Sequence, residues 1–546
     1  HRTPLFSQDS MVARSVKTGG FSRLYQFKEM VMNLIPDTPG STPSYWCTWG
    51  AQNYDVDEMN DSSWENAVSN LSELTVFEDP GWATHFFRTA SRDLFILFDV
   101  GWDVSKHVTI KRPTWQLGSL ELAEDRFPSL SGSPVERLRG LNDLAKRAGW
   151  RGAALWVAAQ AVGEGKEGHR LDSNELEAYW RERARWCHAA GIEYWKVDLG
   201  VHSADASYRR MVTRVAREEA PRLLVEHAVN LEPFNDVPST RDTSGQNQGR
   251  FHVWKGGRFL EQAVALLTFC DVLRTYDVSN QLANASTLDR VVQILLAAQK
   301  TEGAGLLNCE DTLYLGAALG CALGVMRHPR WREVKGKDYD TSLSRKRIDE
   351  VTRAVRWQRL APAFGVREAE VALDEDILSD SWHFGEGETW DRSAVGKEIV
   401  QGAPARVTRG LPLPEVIPDA EGVRPYVVAS SHPNGATAIA TLPRTSTERG
   451  IYTPLANISV VVKEATAPIG VFGHYQTLTL RLSEPLGERR VWGQDLASNE
   501  AQDITGQVTV NGATVTLSGT LIREVGLAAA RSGDFSEPGL LVAIRP

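Results

Sequence analysis

Tyr194-Trp195-Lys196-Val197-Asp198-Leu199-Gly200 is the stretch whose reading decides the fold. Two aromatic residues lead into a lysine, a valine and an aspartate, and a glycine closes the segment. A buried parallel strand reads as a short apolar run, with charge appearing where the strand emerges at its carboxyl end. In α/β barrels that end carries the active site. Lys196 and Asp198 lie two residues apart on one extended segment, so their side chains share a face.

The same unit recurs on both sides of this segment. Toward the N-terminus stand Tyr45-Trp46-Cys47-Thr48-Trp49-Gly50, Leu94 to Trp102 with Asp99 at its centre, and Ala153 to Val157. Toward the C-terminus stand Leu223 to His227, Val272 to Asp277 and Gly305 to Asp311. Between them, residues 62–90, 135–148, 173–189, 204–219, 260–269 and 288–300 read as helices, with a last one near 348–360. Leu138, Leu141, Leu144 and Ala145 mark the apolar face of one of them. Such alternation argues for a parallel-sheet α/β fold, and about eight units predict a (β/α)8 barrel over residues 41–370. No G-x-G-x-x-G or phosphate-binding loop follows any of the strands, which speaks against a nucleotide cofactor.

Near residue 370 the pattern changes. Short alternating runs take over, among them Tyr426–Ala429, Ala438–Leu442, Ile458–Val462 and Thr477–Leu482, with Gly, Pro and Asn between them. They predict a C-terminal all-β antiparallel sandwich over residues 371–546, whose task is packing against the barrel. Residues 1–40 lack periodicity and read as an N-terminal extension.

Composition narrows the function. The 546 residues, 42% hydrophobic and 24% charged, describe a soluble globular chain with a formal net charge of −9. That balance disfavours nucleic acid and membrane surfaces as partners. No apolar run reaches the roughly 18 residues a membrane span needs. Five scattered cysteines suit neither a disulfide framework nor a zinc site, so no metal or other cofactor is expected. Asp55, Asp57 and Asp61 approach the spacing of a calcium loop but lack its glycine and distal glutamate, and read as a solvated loop. The chain begins His1-Arg2-Thr3-Pro4, which reads as a processed end. Sequons at Asn60, Asn70, Asn284 and Asn457 are compatible with secretion, so an extracellular or periplasmic location is the expectation.

The chemistry lies in the acids at the strand ends: Asp99, Asp198, Glu226, Asp277 and Asp311. Any one alone reads as a loop or helix-cap acid. Several at the carboxyl ends of different barrel strands converge on one mouth. Carboxylates with tryptophans suit glycoside hydrolysis, in which one carboxylate attacks the anomeric carbon or activates water and a second, protonated, serves the leaving oxygen. Of the 17 tryptophans, Trp46, Trp49, Trp102 and Trp156 lie at or near strand ends, where they serve either as core or as an apolar floor for a sugar ring.

At these residues the chain resembles the α-galactosidase (melibiase-like) clan of retaining glycoside hydrolases, over roughly residues 43–330. The clan's G-W-x-x-W is similar to Tyr45-Trp46-Cys47-Thr48-Trp49, and its I-D-D-G-W to Phe98-Asp99-Val100-Gly101-Trp102. Its R-F-P-x-G segment is similar to Arg126-Phe127-Pro128-Ser129, and the G-K-F-G-L-Y run after it to Gly149–Trp156. Its K-Y-D appears as Lys196-Val197-Asp198 and its C-E-W-P as Val225-Glu226-His227-Ala228. Its W-R-x-x-x-D is similar to Leu273-Arg274-Thr275-Tyr276-Asp277, and its W-N-D-P-D-M-L to Leu307-Asn308-Cys309-Glu310-Asp311-Thr312-Leu313.

The resemblance implies Asp198 as nucleophile and Asp277 as acid/base, with a carboxyl separation of about 5–5.5 Å between them. It implies Lys196, Glu226, Arg274 and Asp99 as binders of sugar hydroxyls, Trp49 and Trp102 as walls of the subsite, and Asp311 at its edge. The substrate implied is an α-linked terminal sugar or its β-L counterpart; transfer to another sugar, or sugar binding on a barrel without turnover, are the alternatives. The departures concern specificity. The clan's paired acids, which grip the 4- and 6-hydroxyls of galactose, are here Asp99 and Val100, and the acid after the third strand gives way to Trp156-Val157-Ala158-Ala159-Gln160. The interval from Arg274 to Asp277 is one residue short, and Asp271 is the alternative acid.

Overall fold

The computed structural model describes residues 32–54, 64–110, 114–228, 258–275, 281–327, 347–385 and 396–546. Eight strands close into a parallel barrel in chain order. They are β1 (Tyr45–Cys47), β2 (Phe95–Phe98), β3 (Gly152–Val157), β4 (Tyr194–Val197), β5 (Leu224–Ala228), β6 (Val272–Arg274), β7 (Leu306–Glu310) and β8 (Ala322–Val325). Tyr45 closes the ring, pairing with Phe95 on one side and Gly324 on the other. The eighth strand escaped the sequence reading: Ala322-Leu323-Gly324-Val325 is short, carries a glycine, and follows helix Leu313–Ala318 so closely that it reads as that helix's tail. The span 62–90 holds the short helices Trp64–Ser69, Glu73–Phe77 and Trp82–His85. The candidate calcium loop at 55–61 lies outside the described residues.

Strand alternation sorts the core into an inner and an outer shell. Tyr45, Cys47, Phe95, Leu97, Ala154, Trp156, Tyr194 and Val272 fill the barrel interior. Their neighbours Trp46, Ile96, Phe98, Leu155, Trp195, Val197 and Leu273 pack outward under the helices. Burial on both faces is why these strands read as continuous apolar runs. The helices are set by their caps. Ser133 and Glu136 form a capping box around Pro134 at the start of Pro134–Arg147. Asp172 caps Ser173–Ala190, which ends on Gly191 in the left-handed conformation.

The all-β region holds an eight-stranded and a five-stranded sheet. Most pairs are antiparallel, while Arg406–Arg409 runs parallel to Tyr426–Ser431, Thr437–Leu442 to Ile469–Phe472, and Ala456–Val462 to Thr477–Leu482. Strands Ala456–Val462 and Thr477–Leu482 of the smaller sheet alternate between buried and half-buried positions. Strands Thr437–Leu442 and Ile469–Phe472 of the larger sheet are buried throughout. The reason is its place in the middle. Val427, Ala429 and Ile439 face the smaller sheet, whereas Val407, Tyr426, Val428 and Ala440 join the outer shell of the barrel.

Polar links pin that contact. Arg409 Nη1 donates to the Leu319 carbonyl at 2.7 Å, and Ser430 Oγ to the Ala318 carbonyl at 2.7 Å. Arg353, on helix Asp349–Trp357, makes a two-pronged pair with Asp495 at 2.8 and 2.9 Å, with both side chains fully buried. Asp495 also accepts from the amides of Ala497 and Ala529. Residues 32–35 join the same seam, since the Leu34 amide donates to Gln494 Oε1 at 2.7 Å. Removing one partner of a buried pair strands the other charge. Asp495→Ala is therefore expected to cost about 3–5 kcal/mol in urea unfolding, with Arg353→Met plus Asp495→Ala recovering part of that loss.

Candidate active site

At the carboxyl end of the barrel the inward faces of β1, β2, β4, β5, β6 and β7 bring acids, two cations and two tyrosines together. Arg274, the last residue of β6, is the hub. Its Nη2 meets Asp198 Oδ2 at 2.9 Å, its Nη1 meets Glu310 Oε1 at 3.2 Å, and its Nε lies 3.9 Å from Glu226 Oε1. Trp156 Nε1 donates to the same Asp198 oxygen at 3.1 Å. Lys196 Nζ donates to Asp99 Oδ2 at 3.1 Å and stands 3.7 Å from Glu310 Oε1, and the Cys47 thiol donates to Asp99 Oδ2 at 3.0 Å.

Below these groups lies a deeper layer. Glu226 accepts from the Tyr194 hydroxyl at 2.6 Å, from Asn308 Nδ2 at 2.6 Å and from the Tyr45 hydroxyl at 3.1 Å. The Tyr45 hydroxyl also lies 2.8 Å from Glu310 Oε1, so one phenolic hydrogen faces two carboxylates. Burial pushes the Glu226 carboxyl above its usual range, with Arg274 opposing. Burial and Arg274 work against the charge on Lys196, and Asp99, Cys47 and Glu310 outweigh them, holding the ammonium above its usual range. Arg274 is likewise buried, and Asp198 and Glu310 keep it charged.

Two glycines make this packing fit. A Cβ on Gly324 would lie 2.8 Å from Glu310 Cγ and 2.9 Å from the Tyr45 hydroxyl. Gly200, which ends the Asp198 segment, has φ +155° and lets the backbone pass Ala159, whose N, C and O atoms a Cβ would meet at 2.7–2.8 Å. The loop is pinned by the Val201 amide, which donates to Gln160 Oε1, and by the Arg209 guanidinium, which donates to the Asp198 carbonyl.

The structure thus gathers Asp99, Lys196, Asp198, Glu226 and Arg274 into one network. Trp49, in helix Trp49–Tyr54 directly after β1, packs half-buried against the barrel-interior cluster at the mouth. Trp102 departs from the expectation of a subsite wall. It is fully buried and its Nε1 donates to the Trp156 carbonyl, so it backs the tryptophan that holds Asp198. Trp46 points outward among Trp82, Phe86 and Trp150, because it alternates with Tyr45 and Cys47 on β1.

Asp311 also departs. It sits at φ +56°, buried, with Arg327 Nε 3.4 Å from its Oδ1, while the preceding residue Glu310 takes the inward position. Leu306, Asn308 and Glu310 share a face of β7, an alternation that could have picked out Glu310. Tyr45, Tyr194 and Asn308 gave no signal, since tyrosines and an amide in a strand read as core. Asp271 is ruled out as the alternative acid: it precedes β6 at the opposite end of the barrel, paired with Arg217 at 2.7 Å and accepting from the Val225 amide. Asp277 lies outside the described residues. Among those described, no group of His, Cys, Asp and Glu could hold a metal ion, and no helix is long and apolar enough to cross a membrane.

No protein-family model matches the chain, and no curated protein matches it. Among solved structures it is similar to a GH27 β-L-arabinopyranosidase from Geobacillus stearothermophilus, at 10% identity over 92% of this chain and 96% of that one, with a TM-score of 0.39. It is similar to a putative α-N-acetylgalactosaminidase from Bacillus halodurans, at 9% identity over 94% and 99%, with a TM-score of 0.38. It is also similar to an α-amylase from Geobacillus thermoleovorans complexed with acarbose, at 11% identity over 67% and 97%, with a TM-score of 0.30.

Two outcomes follow from the geometry. Gly324→Ala should push Tyr45 and Glu310 apart and cost about 1–3 kcal/mol in urea unfolding, as overpacked cores do. Asp103, in the loop behind Asp99, is buried and its carboxyl is pushed up to about 6 by that burial, against the amides of Leu120 and Gly118 that donate to it. A raised folded-state value means that its contribution to stability is full below about pH 4 and is lost as the pH rises through about 6. Wild type minus Asp103→Asn stability should therefore fall by up to about 2–3 kcal/mol between pH 4 and pH 7, measured by urea titration at each pH.

Proposed function

We propose that this chain is a divergent glycoside hydrolase of the α-galactosidase-like clan, releasing a terminal α-linked sugar, or its β-L counterpart, with retention of configuration. The observation that carries the reading is the placement of Asp198. It stands at the carboxyl end of β4, held by Trp156 Nε1 and Arg274 Nη2. Its side chain is 14% exposed, against 5% for Asp99, 1% for Glu310 and 0% for Glu226. A nucleophile must be ionised and reachable. The guanidinium favours the first, and Asp198 is the most exposed of these four acids.

The chemistry then divides between two carboxyl groups. Asp198 attacks the anomeric carbon, the glycosidic bond breaks, and Asp277 gives its proton to the leaving oxygen. Asp277, three residues past the end of β6, next takes a proton from water, whose oxygen attacks the same carbon and frees Asp198. Lys196 and Asp99 hold a sugar hydroxyl at the upper layer, and Trp49 gives the ring its apolar wall. Glu226 serves from below, through Arg274 and the two tyrosines. Val100, in place of a second acid, and the acid-free segment after β3 leave galactose as one candidate among several, because a site discriminates by the hydroxyls it is built to bind.

Aryl α-galactoside, α-N-acetylgalactosaminide, α-glucoside and β-L-arabinopyranoside, screened in turn, should include a substrate whose first-formed product keeps its anomeric configuration by NMR. Asp198→Ala should lower kcat/KM on that substrate about 10⁴-fold or more while the variant stays folded by circular dichroism, its unfolding midpoint lowered by the loss of a counter-charge to Arg274. Inversion, or near-normal turnover by the variant, would remove Asp198 from the nucleophile role.

A further inference from the structure

Behind Asp198, on the helix side of the barrel wall, stands a second buried guanidinium. Arg209 lies on helix Ala206–Glu219, which follows β4, and is fully buried. Its Nη1 donates to the Val197 carbonyl at 3.1 Å, its Nη2 to the Asp198 carbonyl at 2.7 Å and its Nε to the Ser203 carbonyl at 2.9 Å. The Asp198 amide is taken as well, donating to the Val157 carbonyl of β3 at 2.9 Å. Both backbone polar groups of Asp198 are therefore held, and with them the direction from which its side chain enters the mouth.

This arginine is used unlike Arg274. A charge buried so deeply calls for a carboxylate beside it, yet the hydrogen-bond partners of Arg209 among the described residues are those three carbonyls and one ring nitrogen. The ring is that of His227, whose Nδ1 lies 3.0 Å from Nη1. A guanidinium can only donate, so Nδ1 accepts and the ring hydrogen sits on Nε2. Nε2 donates to Thr213 Oγ1 at 2.8 Å, and that hydroxyl donates to the Arg209 carbonyl at 3.0 Å. His227 is thereby neutral, and burial together with the Arg209 charge holds its basicity well below the usual range.

The groups that bear most strongly on the Arg209 charge leave one counter-ion. Tyr208 and Cys270 keep their protons, since burial raises both, and Arg274 has the same sign. Asp198 is the anion, and its attraction opposes the burial that brings the Arg209 guanidinium down to about 10. Such attraction is mutual: the acid that steadies the cation is kept ionised by it. The Asp198 carboxylate meets Arg274 from β6 and the Trp156 indole from β3, while Lys196, on its own strand, is paired with Asp99.

We propose that Arg209 is the positioning residue of Asp198: it clamps the backbone on which the carboxylate stands and lends it a second positive charge from the helix side of the barrel. Arg274 touches the carboxylate directly, whereas Arg209 acts through the main chain and stays out of a substrate's reach. Its value to catalysis rests on the nucleophile reading of Asp198; its hold on the carboxylate does not.

The Trp156 indole, hydrogen-bonded to Asp198 Oδ2, reports both effects without a substrate. In the full chain labelled with nitrogen-15 at tryptophan, and assigned with Trp156→Phe, its N–H signal should follow a pH titration that Asp198→Asn abolishes. Arg209→Gln should raise the midpoint of that titration by about one pH unit. Arg209→Lys keeps a charge but loses the planar fork, so the signal should shift toward its place in Asp198→Asn. Thr213→Val, which opens the hydrogen-bonded ring at His227 and leaves the guanidinium in place, should change neither. An unmoved midpoint in Arg209→Gln, an unmoved signal in Arg209→Lys or an equal change in Thr213→Val would overturn the proposal. Should Arg209→Gln fail to fold, the Arg209→Lys signal decides it. On an aryl glycoside that the chain turns over, Arg209→Lys should lower kcat/KM about tenfold, and Arg209→Gln should carry the acid limb of the pH profile upward with the midpoint. Signals that move as expected in a chain that turns over no glycoside would support Arg209 and sink the hydrolase reading; turnover with unmoved signals would do the reverse.

Discussion

A guanidinium buried in a barrel sets the terms for everything around it. Arg274 is 1% exposed, and a charge so far from water survives only with hydrogen-bonded counter-charges on several sides. Asp198 and Glu310 supply them directly, and Glu226 stands a little farther off. Each of these acids then needs donors of its own: Trp156 for Asp198, Tyr194 and Asn308 for Glu226, Tyr45 for Glu226 and Glu310. Gly324 follows from the same requirement, because Glu310 of β7 and Tyr45 of β1 occupy the space that a Cβ there would take. Seven of the eight strands, all but β2, are committed to one arginine.

The network also redistributes charge relative to the clan it resembles. Val100 stands where the clan carries its second acid, and Glu310 stands where the clan's strand motif carries proline. Lys196 consequently lies between Asp99 on β2 and Glu310 on β7. The carboxylate missing from one wall is matched by one that has risen from the floor on the other side. An acid at that depth can neutralise the ammonium without reaching into the mouth, which leaves the wall at Val100 apolar.

Much of this was legible in the sequence, for a definite reason. Strands buried on both faces leave runs such as Phe95–Phe98 and Tyr194–Val197, and the charge that ends them marks the functional end of the barrel. Asp99, Lys196, Asp198 and Glu226 were read that way, and Arg274 came only with the family resemblance. What stayed hidden was direction. Nothing in the one-dimensional pattern shows that Trp102 points away from the mouth, or that Asp311 turns aside at a left-handed residue. The strand Ala322–Val325 is four residues long and broken by Gly324, which has no side chain because Tyr45 and Glu310 fill the room beside it.

The eight-stranded sheet has a wider consequence. With the smaller sheet on one face and the barrel on the other, its central strands Thr437–Leu442 and Ile469–Phe472 have no exposed face to vary. The barrel's last helix, in turn, uses Asp495 as the partner of its buried arginine. An appended sugar-binding module can be exchanged, duplicated or lost as a lineage adapts; a layer that is also the wall of its neighbour's core cannot. The room for substitution in this half of the chain lies in the outer sheet, the edge strands and the loops, and the barrel has a companion it cannot shed.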